Sequence, residues 1–187
     1  MSEFHENNAD NQQLRLATEI LEKLRQVSAG EAVVNGMSIY HVNEAVLGIR
    51  ERVRLANATL ENISLTEVEL EQLLKNAPVN VARRVIKRIR AGIYKYDDAR
   101  DLSYCLSVGV KLEDLQTDEA EIALLTIKYH KLRGKNMVKI LRNGGRLLRR
   151  QSNSAAGITY LRKWVVEHQL TLADIGTSDD ELTALTA

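Results

Sequence analysis

Three stretches of this chain carry the same helix-start signature, and together they restrict what it can fold into. They are LENISLTEVEL (60–70), LEDLQTDEAEI (112–122) and LADIGTSDDEL (172–182). Thr66, Asp118 and Ser178 each stand three residues before Glu69, Glu121 and Glu181, and Leu70, Ile122 and Leu182 follow. This is the capping box or its Asp variant: the first side chain satisfies an orphan helix N–H and the glutamate reaches back. Apolar residues before each box read as a staple that fixes the entering chain. The stretches are offset by 52 and 112 residues, and VIKRIRAG (85–92) stays in register with MVKILRNG (137–144). That register superposes Lys87 on Lys139, Arg90 on Arg142 and Gly92 on Gly144. The pattern predicts a duplicated helical unit over 58–187 with a truncated third copy.

Helical periodicity fills the rest. Leu14, Ala17, Leu21 and Leu24 mark a helix over about 13–29, after a polar segment, 1–12, read as disordered. Ser38 reads as the cap of a second helix whose stripe is Ile39, Val42, Val46, Ile49, Val53 and Ala56. That stripe is either a core face or a seam for self-association, making 13–57 a two-helix hairpin and a candidate dimer element. Further helices are predicted over about 67–75, ending near Pro78, and over 80–92, 97–108, 119–132, 135–143, 155–169 and 179–186. The helix from residue 135 either breaks at Gly144-Gly145 or continues to Arg150. With eight aromatics, one proline and no legible strand, the expected class is all-α. The expected architecture is an N-terminal hairpin plus a duplicated three-helix unit, about eight to nine helices in all.

The net charge of +1 conceals a segregation. Residues 72–96 hold seven Lys or Arg and no acid, and residues 122–166 hold eleven and no acid. One reading is a pair of basic helix faces turned toward an anionic partner. The other is that these cations pair with acidic loops beside them. The candidate contacts are Arg83, Arg84, Lys87, Arg88, Arg90, Lys135, Lys139, Arg142, Arg146, Arg149 and Arg150.

No catalytic constellation is legible. Asp97-Asp98-Ala99-Arg100-Asp101 spells a DDxxD pattern, but a charged helix N-terminus accounts for it without a magnesium site. His41, Glu44 and His130 lack the partners a general base or metal site needs. Cys105 reads as a small packed residue. Residues 101–120 have helix-turn-helix spacing, yet Glu113, Asp114, Asp118 and Glu119 would face a phosphate-lined groove. Asn143-Gly144-Gly145 reads as a helix end, not a phosphate loop.

The sequence therefore suggests a non-enzymatic binding module with no cofactor or metal, directed at an anionic partner, most simply nucleic acid, in a regulatory setting. The alternative is an adaptor whose basic face meets an acidic protein surface, with a homodimer through the N-terminal helices. No long apolar run predicts a membrane span, no apolar leader is seen, and one cysteine suits a reducing, cytoplasmic compartment.

Overall fold

The computed structural model describes residues 3–31, 33–147 and 154–185. Helices dominate it: α1 (Glu3–Ser28), α2 (Val42–Leu55), α3 (Glu67–Arg90), α4 (Asp98–Ser107), α5 (Glu119–Arg142), α6 (Ser154–Glu167) and α7 (Asp179–Ala184). Short 3-10 turns lie at Ile39–His41, Leu60–Ile63, Glu113–Leu115 and Ala173–Ile175. The all-α class stands, with one addition. Val33–Val34 (β1) and Met37–Ser38 (β2) form an antiparallel hairpin. Asn35 and Gly36 turn it with φ of 46° and 86°, the Asn-Gly geometry favoured by tight hairpins.

The helix count differs from expectation, and the physical reasons are specific. Pro78 does not end a helix: it lies inside α3. An interior proline forfeits a backbone hydrogen bond and costs about 3 kcal/mol. Ala77, Val81, Ala82 and Val85 are fully buried around it, and this packing carries α3 through. Gly134 likewise does not break α5. A Cβ there would collide with Ile175 and stand 3.2 Å from Trp164 Cζ3, so the glycine is a packing notch. Seven α-helices, not eight or nine, are therefore seen among the described residues, and the duplicated three-helix unit is not matched.

What recurs is smaller. The 3-10 turns at 60–63, 113–115 and 173–175 each end in a left-handed residue, Ser64, Gln116 or Gly176. A capped start follows: Asp118 accepts from the Glu121 N–H at 2.7 Å, Ser178 from the Glu181 N–H at 3.2 Å, and Thr66 from the Glu69 N–H at 3.2 Å. α3 and α5 are both 24 residues long. Both close with a left-handed glycine, Gly92 or Gly144, and a six-to-one backbone bond, Ile93 to Arg88 O at 2.9 Å and Gly145 to Ile140 O at 2.8 Å. α5 thus ends at Arg142, and no helix continues through Gly144-Gly145.

The chain forms two compact units, residues 1–86 with 100–117 and residues 87–99 with 118–187. In the first unit α1 packs along α2. α1 takes in much of the segment expected to be disordered, since it begins at Glu3. The α2 stripe expected to serve self-association is spent here: Ile39, Val42, Val46, Ile49 and Val53 are at most 5% exposed, in a core shared with Ala17, Leu21, Leu24 and Val27 of α1. A seam buried inside one chain cannot also join two chains, which removes the proposed dimer contact. Asn80 of α3 donates to Ser28 O at 2.8 Å, fixing the end of α1. In the second unit Met137, Val138 and Leu141 of α5 pack with Ile158, Leu161, Trp164 and Val165 of α6, and with Ile175 and Leu182.

Two glycines of the long helices should respond oppositely to alanine. Gly134→Ala should destabilise by about 1–3 kcal/mol, because the notch cannot accept a methyl group without displacing Ile175. Gly48→Ala should stabilise by up to about 1 kcal/mol through helix propensity, since its Cβ would meet Ile20 Cδ1 at an ordinary 3.7 Å. Denaturant midpoints of the two variants check this.

Candidate functional site

The basic residues singled out above are reached by the last half of α3, the last half of α5 and the segment after it. Local sequence explains their exposure. Apolar Val81, Val85 and Ile89, and then Val138 and Leu141, turn inward at helical spacing and push the cations between them outward.

Five of the nine that lie among the described residues are engaged within the fold. In the first unit, Arg83 Nε donates to Asp114 O at 2.8 Å, and Arg84 forms an ion pair with Glu31. In the second unit, Arg90 makes a two-pronged pair with Glu121, both bonds at 2.9 Å. Arg142 does the same with Glu181, at 2.6 Å and 3.0 Å, and also donates to Gly176 O at 2.8 Å. The arginine that ends α3 thus grips the capping-box glutamate of α5, and the arginine that ends α5 grips that of α7. The Arg142 guanidinium and the Thr177 hydroxyl hold the Glu181 carboxyl below its usual range.

Arg88 is the deepest of the set. It pairs with Asp98, whose side chain is 1% exposed while that of Arg88 is 12% exposed. The DDxxD stretch is therefore structural in two of its acids. Asp98 holds Arg88, and Asp101, also buried, accepts from the Tyr40 hydroxyl at 2.9 Å. Burial first, then Asp101, pushes the Tyr40 phenol up to about 12. Burial also pushes the Cys105 thiol up to about 12, leaving a protonated, packed sulfur rather than a nucleophile.

Lys87, Lys135, Lys139 and Arg146 differ from the others. All four are exposed, belong to the second unit, and have no side-chain hydrogen bond or ion pair among the described residues. Lys135 and Lys139 stand one turn apart on α5, and Arg146 follows the helix end. Arg149 and Arg150 lie outside the described residues. Of the two basic faces, then, the α3 one is largely consumed, and the free charge is concentrated after the middle of α5. The second unit carries fifteen basic and ten acidic residues, the first eleven and fifteen.

One cluster escaped the sequence reading. His130 and His168 stack with ring centroids 4.0 Å apart, and Trp164 meets both edge-on. Arg133 lies 5.6 Å from the Trp164 ring and 5.3 Å from the Tyr96 ring. Trp164 and His168 are four apart, a spacing that places them on one helix side and could have flagged the pair. His130 Nδ1 is buried without a partner. Burial, His168 and Arg133 lower the His130 pKa to about 4. His41, by contrast, is a local cap: its Nδ1 accepts from the Ser38 N–H at 3.2 Å and lies 2.8 Å from Ser38 Oγ.

The first unit also has an apolar groove of about 320 Å³, lined by Ile39, Val42, Leu74, Pro78, Tyr104 and Val110 among others. Lys75 and Asp114 are its charged residues, and no nucleophile, base and orienting group converge there. Among the described residues no group of three or more His, Cys, Asp or Glu is placed to hold a metal, and no helix is long and apolar enough to cross a membrane.

Two outcomes follow from this geometry. Arg88→Met should cost about 3–5 kcal/mol by leaving Asp98 buried without a counter-charge, while Lys139→Met should change stability by no more than about 0.5 kcal/mol. Calorimetric unfolding separates the two. A histidine whose folded pKa lies below its unfolded value binds fewer protons folded than unfolded, so its contribution is present above pH 6.5 and is lost as the pH falls toward about 4. Stability should therefore fall across that window, and His130→Phe should flatten the fall when unfolding midpoints are measured against pH.

Compared with known proteins, the chain matches no family model, no curated protein and no solved structure.

Proposed function

We propose that this chain is a non-enzymatic binding module that holds the phosphate backbone of a nucleic acid against the second half of α5. The observation that carries this reading is the free set Lys135, Lys139 and Arg146, exposed on a unit with an excess of positive charge while neighbouring arginines are bound internally. Cations with no carboxylate beside them release counterions when a polyanion arrives, and that release is the main source of such affinity. Contacts of this kind position a duplex without reading its bases, so the expected role is weakly sequence-selective, as in an accessory regulator. The reading places the protein in the cytoplasm, where a lone buried thiol such as Cys105 stays reduced.

A second reading, a protein-interaction adaptor, is favoured by one observation. Leu124 and Ile127, on the first half of the same helix, are 67% and 47% exposed. Apolar side chains gain nothing from a phosphate backbone but suit a protein surface.

Fluorescence anisotropy with duplex DNA and with RNA across a salt series tests the leading reading. With about three phosphates neutralised, log affinity should fall against log salt with a slope near about −2.7 on duplex DNA. Replacing Lys135, Lys139 and Arg146 together by Ala should bring that slope close to zero, whereas Arg84→Ala should leave it unchanged. Absence of binding at low salt, or equal loss from Arg84→Ala, would overturn it in favour of the adaptor.

A further inference from the structure

The His130–His168 stack stands where α6 gives way to the turn that leads on to Ala173–Ile175. The His168 N–H donates to Trp164 O at 3.1 Å as the helix closes, and the next residue, Gln169, is left-handed with φ of 53°. A six-to-one bond from Leu170 to Val165 O at 3.0 Å completes that end. His168 is half-buried and rests its ring on α5 from the very end of α6. The ring it covers, His130, keeps its Nδ1 out of water with no hydrogen-bond partner.

This stack suits two neutral rings. A proton added at His130 Nδ1 would make an N–H with no acceptor, and a second on His168 would set two cations with ring centroids 4.0 Å apart. The groups around the pair do not offset this. On α5, Tyr129 meets His130 edge-on at 5.6 Å, and Lys131 is paired with Asp174 at 2.7 Å. Arg133 adds a fixed positive charge that, after burial, opposes protonation of both rings. On α6, Glu167 favours a proton on His168 but is shared with Lys163 at 3.7 Å. In the 91–97 segment, Tyr94 lies against Tyr129 and Tyr96 against Arg133. Asp97 acts on Tyr94 and Asp98 on Tyr129, each the smallest of several effects among which burial is the largest.

We propose that the stack is an acid-operated latch: proton uptake parts His168 from His130 and releases the end of α6, residues 166–170, from α5, while the core at Ile158 and Leu161 stays closed. Both histidines are held below the ordinary 6.5, so they are neutral and latched above it, and release runs as the pH falls toward about 4. The latch leaves Lys135, Lys139 and Arg146 as they are, so it stands apart from the nucleic-acid reading.

Trp164 is the single tryptophan of the chain and touches both rings, so its emission reports the latch. Titrating the full chain from about pH 7 to about pH 4 should shift that emission in one step, with the far-ultraviolet circular dichroism nearly unchanged. Hydrogen-exchange protection at residues 166–170 should drop by about tenfold or more over the same step, while that of α2 holds. Glu167→Gln should move the midpoint to lower pH and Arg133→Gln to higher pH, opposite shifts that lost packing alone does not produce. The double variant His130→Phe with His168→Phe should show no step. A wild-type chain without the step, a step shared by the amides of α2, a midpoint unmoved by both charge variants, or a step kept in the double variant would overturn the proposal.

Discussion

Asp98 opens α4 with its carboxylate almost wholly removed from water, and Arg88, ten positions earlier, is the cation that makes this possible. An unpaired buried carboxylate would cost several kcal/mol, so the 91–97 segment must turn back far enough to bring the two together. Ile93 makes the first part of that turn by bonding Arg88 O after the left-handed Gly92. The Tyr129 hydroxyl then holds the segment at Tyr96 O, against α5. The buried pair thus ties the end of α3 to the start of α4, and the Tyr129 bond ties the segment between them to α5.

The same chemistry governs the basic run. An acid-free stretch of sequence looks like a surface reserved for an external anion, yet Arg83, Arg84, Arg88, Arg90 and Arg142 find oxygen acceptors inside the chain. Arginine suits these places because its planar fork can take a carboxylate with two bonds, as Arg90 and Arg142 do. Among the candidate contacts, three of the four left without a side-chain partner in the described residues are lysines, whose compact, well-hydrated charge needs no fixed acceptor. The division separates cations that build the fold from cations left free, and it narrows the candidate interface from both basic helices to α5 and the segment after it.

Helix starts were legible in the sequence because capping is local: Thr66, Asp118 and Ser178 bond within three residues, as their spacing implies. Helix interiors were less legible. Pro78 and Gly134 carry strong local preferences against continuation, and tertiary packing at Ala77, Val81, Trp164 and Ile175 overrides them. The Asn35-Gly36 hairpin has a local signature too, since Val34 and Met37 flank a turn pair that favours strands. The α2 stripe is plainly apolar in the sequence, but periodicity alone does not say whether another helix of the same chain covers it. The site was the least legible part. Arg90 and Glu121 are 31 positions apart and Arg84 and Glu31 are 53 apart, so only folding reveals which charges are spent.

In the proposed mode of binding, the free cations of α5, not the basic run of α3, face the nucleic acid. Amide chemical-shift mapping with a short duplex DNA tests it most directly, because each basic position reports separately. Shifts should concentrate at residues 135–147, with Arg83, Arg84 and Arg88 unmoved. Shifts centred on residues 83–90, or no shifts at low salt, would contradict it.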